Sequence, residues 1–255
     1  MSRYARYPSL QDRTVFISGG ASGIGAVLVE AFCDQGAKVA FVDIDTASGV
    51  ELADRLAAEG KPKPLALTCD VRDIPAYQRA IAMAAAALGP IAALVNNAAR
   101  DDRHKVEELT ADYWDDCLAV NLRHHVFAAQ AVIPGMRAAG WGSIQNLGSV
   151  SWMRGRDGMI GYTTSKAAIH GMTRVLAREV GPHNIRVNSV VPGGVVTERQ
   201  NRLWRTPELD KSLLDAQCLK RRLVPEDVAR MVLWLAADDS DGCTGQAFLV
   251  DGGIV

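Results

Sequence analysis

Seven short apolar runs recur along the 255-residue chain, separated by longer stretches of helical periodicity, and this alternation constrains the fold more than any other feature. The runs are "TVFIS" (14–18), "KVAFVD" (38–43), "PLALTCD" (64–70), "IAALVNN" (91–97), "GSIQNLGS" (142–149), "IRVNSVVP" (185–192) and "QAFLVDGG" (246–253). Most are nearly continuous apolar stretches, as expected of parallel strands covered on both faces. Between them lie amphipathic segments such as "GAVLVEAFCDQGA" and "AYQRAIAMAAAALG", many ending at glycine, a common helix stop. The pattern predicts an α/β fold: one doubly wound sheet of about seven parallel strands, joined by right-handed crossovers, with helices on both faces. No linker or low-complexity segment divides the chain, so residues 1–255 read as a single domain.

Composition fits a soluble protein with a sizeable core: 48% hydrophobic and 22% charged residues. A net charge of −1 argues against nucleic acid or an anionic membrane as a partner. The start, "MSRYARYPSLQDR", lacks the apolar stretch of a secretory signal, and no run approaches the ~20 residues of a membrane span. Five scattered cysteines (Cys33, Cys69, Cys117, Cys218, Cys243) without a CxxC pair point to a reduced, cytoplasmic setting and away from a zinc site.

Two motifs carry chemistry. After the first strand comes "SGGASGIG" (18–25), where Gly19, Gly23 and Gly25 permit a tight turn. They also let backbone N–H groups approach a phosphate at the start of a helix. Three glycines can equally make a bare turn, but the next strand ends in Asp43, 18 residues after Gly25. A carboxylate there accepts hydrogen bonds from ribose hydroxyls and repels a 2′-phosphate, which favours NAD over NADP. The alternative for Asp43 is a cap on the following helix. The second motif pairs Tyr162 with Lys166, four residues on along a helical pattern and hence on the same face. At ~6 Å and an effective dielectric of ~20, the ammonium favours the phenolate by roughly 3 kcal/mol, or about two pKa units. That brings the tyrosine toward service as a general base, with Ser149 after the fifth strand to hold a substrate oxygen. Such pairs also occur on plain helix surfaces.

Together these pieces resemble the short-chain dehydrogenase/reductase family over essentially the whole chain. The family's TGxxxGxG loop corresponds to "SGGASGIG" with Ser18 for threonine, its NNAG to "NNAA", and its helix asparagine to Asn121. Its serine 13 residues before YxxxK corresponds to Ser149, and "PGGVVT" (192–197), "PEDVA" (225–229) and "TGQ…VDGG" (244–253) follow in order. The resemblance implies a Rossmann fold and a tetrad of Asn121, Ser149, Tyr162 and Lys166. Tyr162 is then the acid/base, Ser149 orients substrate, and Lys166 holds the nicotinamide ribose. Asn121 distorts its helix and holds a water of a proton relay. It also implies NAD contacts at Gly19, Ser22, Gly23, Ile24, Gly25, Asp43, Asp70, Val71, Asn97, Ala98, Ala99, Pro192, Gly193, Val195 and Thr197, besides Tyr162 and Lys166.

Ligands of open α/β sheets bind beyond the carboxyl ends of the strands. The pocket walls are then the loops 98–107, 150–160 and 193–218, which carry "ARDDRHK", "VSWMRGRDGM" and "TERQNRLWR". A steroid or acyl pocket would be mainly apolar; these loops offer charged groups, amides and the indoles of Trp152 and Trp204, a mixture suited to sugars. "YPSL" (7–10), "DDRHK" (101–105), "YWD" with "NLRH" (113–124), "GSVSW" (148–152), "TERQ" (197–200) and "AQCLK" (216–220) resemble bacterial NAD-dependent D-xylose 1-dehydrogenases, which are aldose dehydrogenases. The expected substrate contacts are Arg100, Asp101, Asp102, Ser149, Trp152, Gly193, Gln200 and Trp204, with Arg103 and Lys105 left to solvent. Other readings are a keto-acyl reductase and a non-catalytic NAD sensor. A metal trio of Asp101, Asp102 and His104 is set aside, since no second histidine falls at i+4 on a helix. The resemblance also implies a homotetramer, with a dimer open. The helices near 110–140 and 162–180 and the last strand would form its interfaces, and His124 and His125 an interface or surface position.

Overall fold

The computed structural model describes residues 4–255. The first three residues of the segment read above for a leader lie outside the described residues. The elements run β1 (Thr14–Ser18), α1 (Gly23–Asp34), β2 (Lys38–Asp43), α2 (Thr46–Ala58), β3 (Leu65–Thr68), α3 (Ile74–Leu88) and β4 (Ile91–Asn96). Then come α4 (Ala111–Leu118), α5 (His124–Ala139), β5 (Gly142–Leu147), α6 (Ile160–Val180), β6 (Ile185–Pro192), α7 (Glu198–Leu203), α8 (Pro207–Ala216), α9 (Pro225–Ala236) and β7 (Ala247–Val250).

All seven strands pair in parallel in the order β3-β2-β1-β4-β5-β6-β7. The chain winds outward from β1 to β3, then returns to place β4 on the other side of β1. That reversal opens a crevice at the carboxyl ends of β1 and β4. The continuous apolar runs have the expected cause, because alternate residues of one strand enter different cores. Val15 and Ile17 pack with Leu28, Phe32, Val232 and Leu233 from α1 and α9. Phe16 faces the opposite layer, with Tyr77 and Ile81 of α3 and Ala128, Val132 and Met136 of α5. Each such large side chain, taken fully out of water, contributes about 1.5–3 kcal/mol.

Local signals set the helix ends. Asp45 and Asp73 cap α2 and α3 by accepting from Ser48 N and Ala76 N, satisfying amides that the first turn leaves without partners. Gly140 closes α5 at φ 69°, a left-handed position that suits glycine.

Three expectations need correction. The strands over 64–70, 142–149 and 246–253 are shorter, ending at Thr68, Leu147 and Val250, because the chain turns away into loops there. The pocket wall over 193–218 is mostly helical, holding α7 and α8. His124 and His125 are neither surface nor interface groups: both are buried inside the chain. Their rings lie 4.3 Å apart, His124 Nε2 is 3.1 Å from Ala98 O, and His125 Nδ1 is 3.2 Å from Asn146 Oδ1. Among the described residues, no helix is long and apolar enough to cross a membrane.

Candidate active site

The glycine loop is built from both sides of the crevice. Gly19 N and Gly20 N donate to Val42 O, drawing the loop over the end of β2. From the β4 side, Asn97 N and Ala98 N donate to Ser18 Oγ at 3.0 and 3.1 Å, and Asn97 Nδ2 donates to the carbonyls of Ser18 and Gly19. Ser18 thus keeps the hydroxyl function expected of threonine, and Asn97 braces the loop. A side chain at Gly25 would collide with the carbonyl of Gly19, and a Cβ at Gly19 would meet Ala98 Cα at 2.9 Å. Ser22 precedes α1 without a side-chain capping bond, so the leading amides of the helix remain free to face an anion.

Asp43 does not cap α2; that position belongs to Asp45. Its Oδ2 instead accepts from Ala21 N at 2.9 Å and its Oδ1 from Asp45 N at 3.1 Å, holding the carboxylate at the rim of the loop. Asp70 is engaged by Arg72, which holds its carboxyl below the usual carboxylate range, and Val71 is buried beside it.

Across the crevice, α6 presents Tyr162 and Lys166 one turn apart. Lys166 Nζ lies 5.6 Å from the Tyr162 ring centroid and donates to Leu147 O at 2.7 Å. Ser149, two residues past β5, stands beside the Tyr162 phenol and lowers its pKa, and its Oγ accepts from Ser151 N. Burial pushes Lys166 down to about 7 and Tyr162 up to about 12, and the neighbouring Ser149 offsets the rise of the phenol only in part. This corrects the two-unit fall expected from the spacing. The separation is as anticipated, but desolvation of the phenolate dominates, and the same burial weakens the charge on the lysine.

Asn121 lies in a π-helical turn, Ala119–Arg123, between α4 and α5, so the helix is distorted where the family resemblance expects it. Its amide clamps the chain after β4: Oδ1 accepts from Arg100 N at 2.8 Å and Nδ2 donates to Arg100 O at 3.1 Å and Cys117 O at 3.0 Å.

The charged run is drawn into contacts with neighbouring elements. The Arg100 guanidinium pairs with Asp102 and Asp116. Asp101 Oδ2 accepts from Gln200 Nε2 at 2.6 Å, Asp102 pairs with Arg199 at 3.1 Å, and the Arg103 guanidinium lies 5.0 Å over the Trp204 ring. The His104 ring packs on Tyr113, and Lys105 is exposed. Arg103 is therefore half-buried rather than solvated. Trp152 packs near His170. Pro192 closes β6, a Cβ at Gly193 would meet Asp251 Cα at 2.8 Å, and Val195 is buried in a bridge to Leu223. Thr197 caps α7, and its methyl is in van der Waals range of a Cβ placed on Gly23. Sequence reasoning missed Arg72, Asp116 and Arg199. Lone charges carry no periodic signal, and only the fold brings them to the crevice.

The donor set suits a dinucleotide. Backbone amides and the glycines of the loop would face the phosphates, Asp43 stands beyond the loop, and the Ser149–Tyr162–Lys166 group lies across the switch point.

A family profile described as "Enoyl-(Acyl carrier protein) reductase" matches residues 19–255. A probable galactose dehydrogenase of Rhizobium meliloti is 47% identical, covering 98% of each chain. A D-xylose 1-dehydrogenase of Caulobacter vibrioides is 48% identical, again covering 98% of each. A 3-alpha-(or 20-beta)-hydroxysteroid dehydrogenase of Mycobacterium bovis is 36% identical over 96% of this chain and 90% of its own. The crystal structure of a 3-oxoacyl-[acyl-carrier protein] reductase from Brucella melitensis superposes with a TM-score of 0.92 at 31% identity, covering 100% of this chain and 98% of its own. Fold, loop and site agree with these likenesses, and the chain belongs to the short-chain dehydrogenase/reductase family.

Proposed function

We propose that the protein is an NAD-dependent aldose dehydrogenase that oxidises the anomeric C1 hydroxyl of a pentose such as D-xylose to the aldonolactone. The observation that carries this reading is Lys166 Nζ 5.6 Å from the Tyr162 ring centroid, with Ser149 beside the phenol, in a chain 48% identical to a D-xylose 1-dehydrogenase. When bound, NAD supplies the acceptor for the C1 hydride. Tyr162 removes the C1 hydroxyl proton, Ser149 holds that oxygen in line, and Lys166 keeps positive charge beneath the phenol as it ionises. Loss of the C1 hydride and the hydroxyl proton leaves a C1 carbonyl within the ring, which is the lactone.

Gly19 and Ser22–Gly25 would take the pyrophosphate, Asp43 the adenosine ribose, and Asp70 with Val71 the adenine. Ala98, Ala99, Pro192, Gly193, Val195 and Thr197 would surround the nicotinamide, with Asn97 acting as brace. Asp43 supports NAD over NADP because a 2′-phosphate would meet its carboxylate. Arg100–Asp102, Trp152, Gln200 and Trp204 give the pocket a polar mouth suited to sugar hydroxyls. The setting is cytoplasmic, in keeping with five free cysteines, and the assembly a homotetramer, checked by light scattering.

A second reading, D-galactose, is favoured by the 47% identical galactose dehydrogenase. Steady-state rates on D-xylose, L-arabinose, D-galactose and a hydroxysteroid, each with NAD and NADP, test the assignment. We expect kcat/KM at least 100-fold higher for a sugar than for the steroid, and for NAD than for NADP. A steroid or NADP preference refutes it.

A further inference from the structure

The segment after β4 and the helix α7 meet residue by residue. Asp101 is hydrogen-bonded by Gln200 at 2.6 Å and lies 3.5 Å from Arg199, Asp102 pairs with Arg199 at 3.1 Å, and Arg103 lies over Trp204. The two sides of this contact are unequally anchored. On one side, residues 101–103 span two fixed points. The Arg100 backbone is clamped on both its N–H and its carbonyl by Asn121, while His104 N donates to Gly158 O at 2.9 Å and its ring packs on Tyr113.

On the other side, α7 buries none of its own residues, and α8 buries only Leu213. Residues 198–216 therefore have a single apolar anchor. Glycines 193 and 194 precede the segment, and the buried Gln217, bonded to the carbonyls of Leu219 and Arg221, follows it. A segment with so little apolar burial is held by its polar contacts. Exposed ion pairs are individually weak and fall with salt, which suits a contact that must open and close. Its first turn begins at Thr197, beside the glycine loop.

We infer that Asp101 and Asp102 are positioning residues which latch α7 onto the segment after β4, beside the catalytic tyrosine, through Gln200 and Arg199, with Arg103 and Trp204 completing the contact. Closure of the pocket is thus electrostatic, although the substrate proposed above is uncharged. The inference rests on the aldose reading only for that choice of substrate.

Two readouts test it. Trypsin cleavage after Arg199, Arg202 and Arg205, followed by mass spectrometry without substrate, reports how often α7 opens. The KM of an uncharged aldose at saturating NAD, between about 20 mM and about 500 mM NaCl, reports the latch through screening, as the Debye length falls from about 20 Å to about 4 Å. In the wild type, we expect salt to raise both the cleavage rate and KM about fivefold, with kcat changing less than twofold. The double variant Asp101→Asn, Asp102→Asn should be cleaved about tenfold faster at low salt, show a raised KM, and lose the salt response. The conservative Asp102→Glu, tested alone, should keep that response. Cleavage and salt profiles equal to wild type in the double variant would overturn the latch. So would a KM increase without faster cleavage, which would mark the carboxylates as direct sugar contacts. If no aldose turns over, the functional reading fails, and the cleavage arm still decides the latch.

Discussion

At the scale of single residues, burial dominates the catalytic pair. Lys166 is driven down to about 7 and Tyr162 up to about 12 by the same desolvation, so the phenol depends on neighbouring charge and hydrogen bonds to release its proton near working pH. The deprotonated phenol is the form that accepts the substrate proton, and its pKa is raised, so kcat/KM for oxidation should rise as pH increases toward the basic range. In Lys166→Met the phenol loses the amine that lies 5.6 Å from its ring centroid, its acidity falls, and the rising limb should move to higher pH. The rate at pH 8 should fall by about 10²–10⁴. Stopped assays across pH 6–10 check this; an unmoved limb would remove Lys166 from the proton chemistry. The sequence made the pair legible through its spacing. It could not show the depth at which the pair lies, because burial belongs to the assembled fold.

Among the elements, the β1–α1 turn shows why glycine is required. At Gly25 any Cβ would strike the Gly19 carbonyl, so the turn must open to admit one. Gly25→Ala should cost about 1–3 kcal/mol of stability, as other forced overpacking does, and weaken NADH binding at least tenfold. Thermal melting and fluorescence titration measure the two effects, and unchanged NADH affinity would contradict the assigned role of the loop. The turn and six of the seven strand positions are plain in the sequence as apolar runs and glycine spacing. β5 is less plain, because "GSIQNLGS" mixes polar with apolar residues; the structure explains it. Ser143 Oγ donates to Leu235 O, and Asn146 bridges Asn96, His125 and Thr173 inside the core. α7 and α8 were unreadable because each presents almost no buried face.

The whole molecule carries a second consequence of its polar interior. Burial holds His124 at about 3 and His125 well below its ordinary value, so both are neutral in the native state. Unfolding returns them to pKa values near 6.5, and the unfolded chain then binds protons that the native chain refuses. Stability should therefore fall as pH drops below about 6.5, by up to about 1.4 kcal/mol per pH unit for each histidine. Urea midpoints between pH 7 and pH 5 check this, and a flat midpoint would contradict it. The buried pair also explains why the sequence misplaced these residues. Two adjacent histidines on a helix read as surface, and only the hydrogen bonds to Ala98 and Asn146 make their burial tolerable. The sheet, the switch point and the tetrad follow from motif order. The contacts that fasten α7 arise from residues roughly a hundred positions apart, which no local pattern encodes.

Oxidation at the anomeric carbon with hydride transfer can be followed atom by atom with D-xylose carrying deuterium at C1. Nuclear magnetic resonance should show the label at C4 of the reduced nicotinamide and an unlabelled xylonolactone, or the xylonate formed from it, in equal amount. Deuterium retained in the sugar product, or no reduced NAD formed from D-xylose or D-galactose, would rule out C1 oxidation of an aldose by this protein.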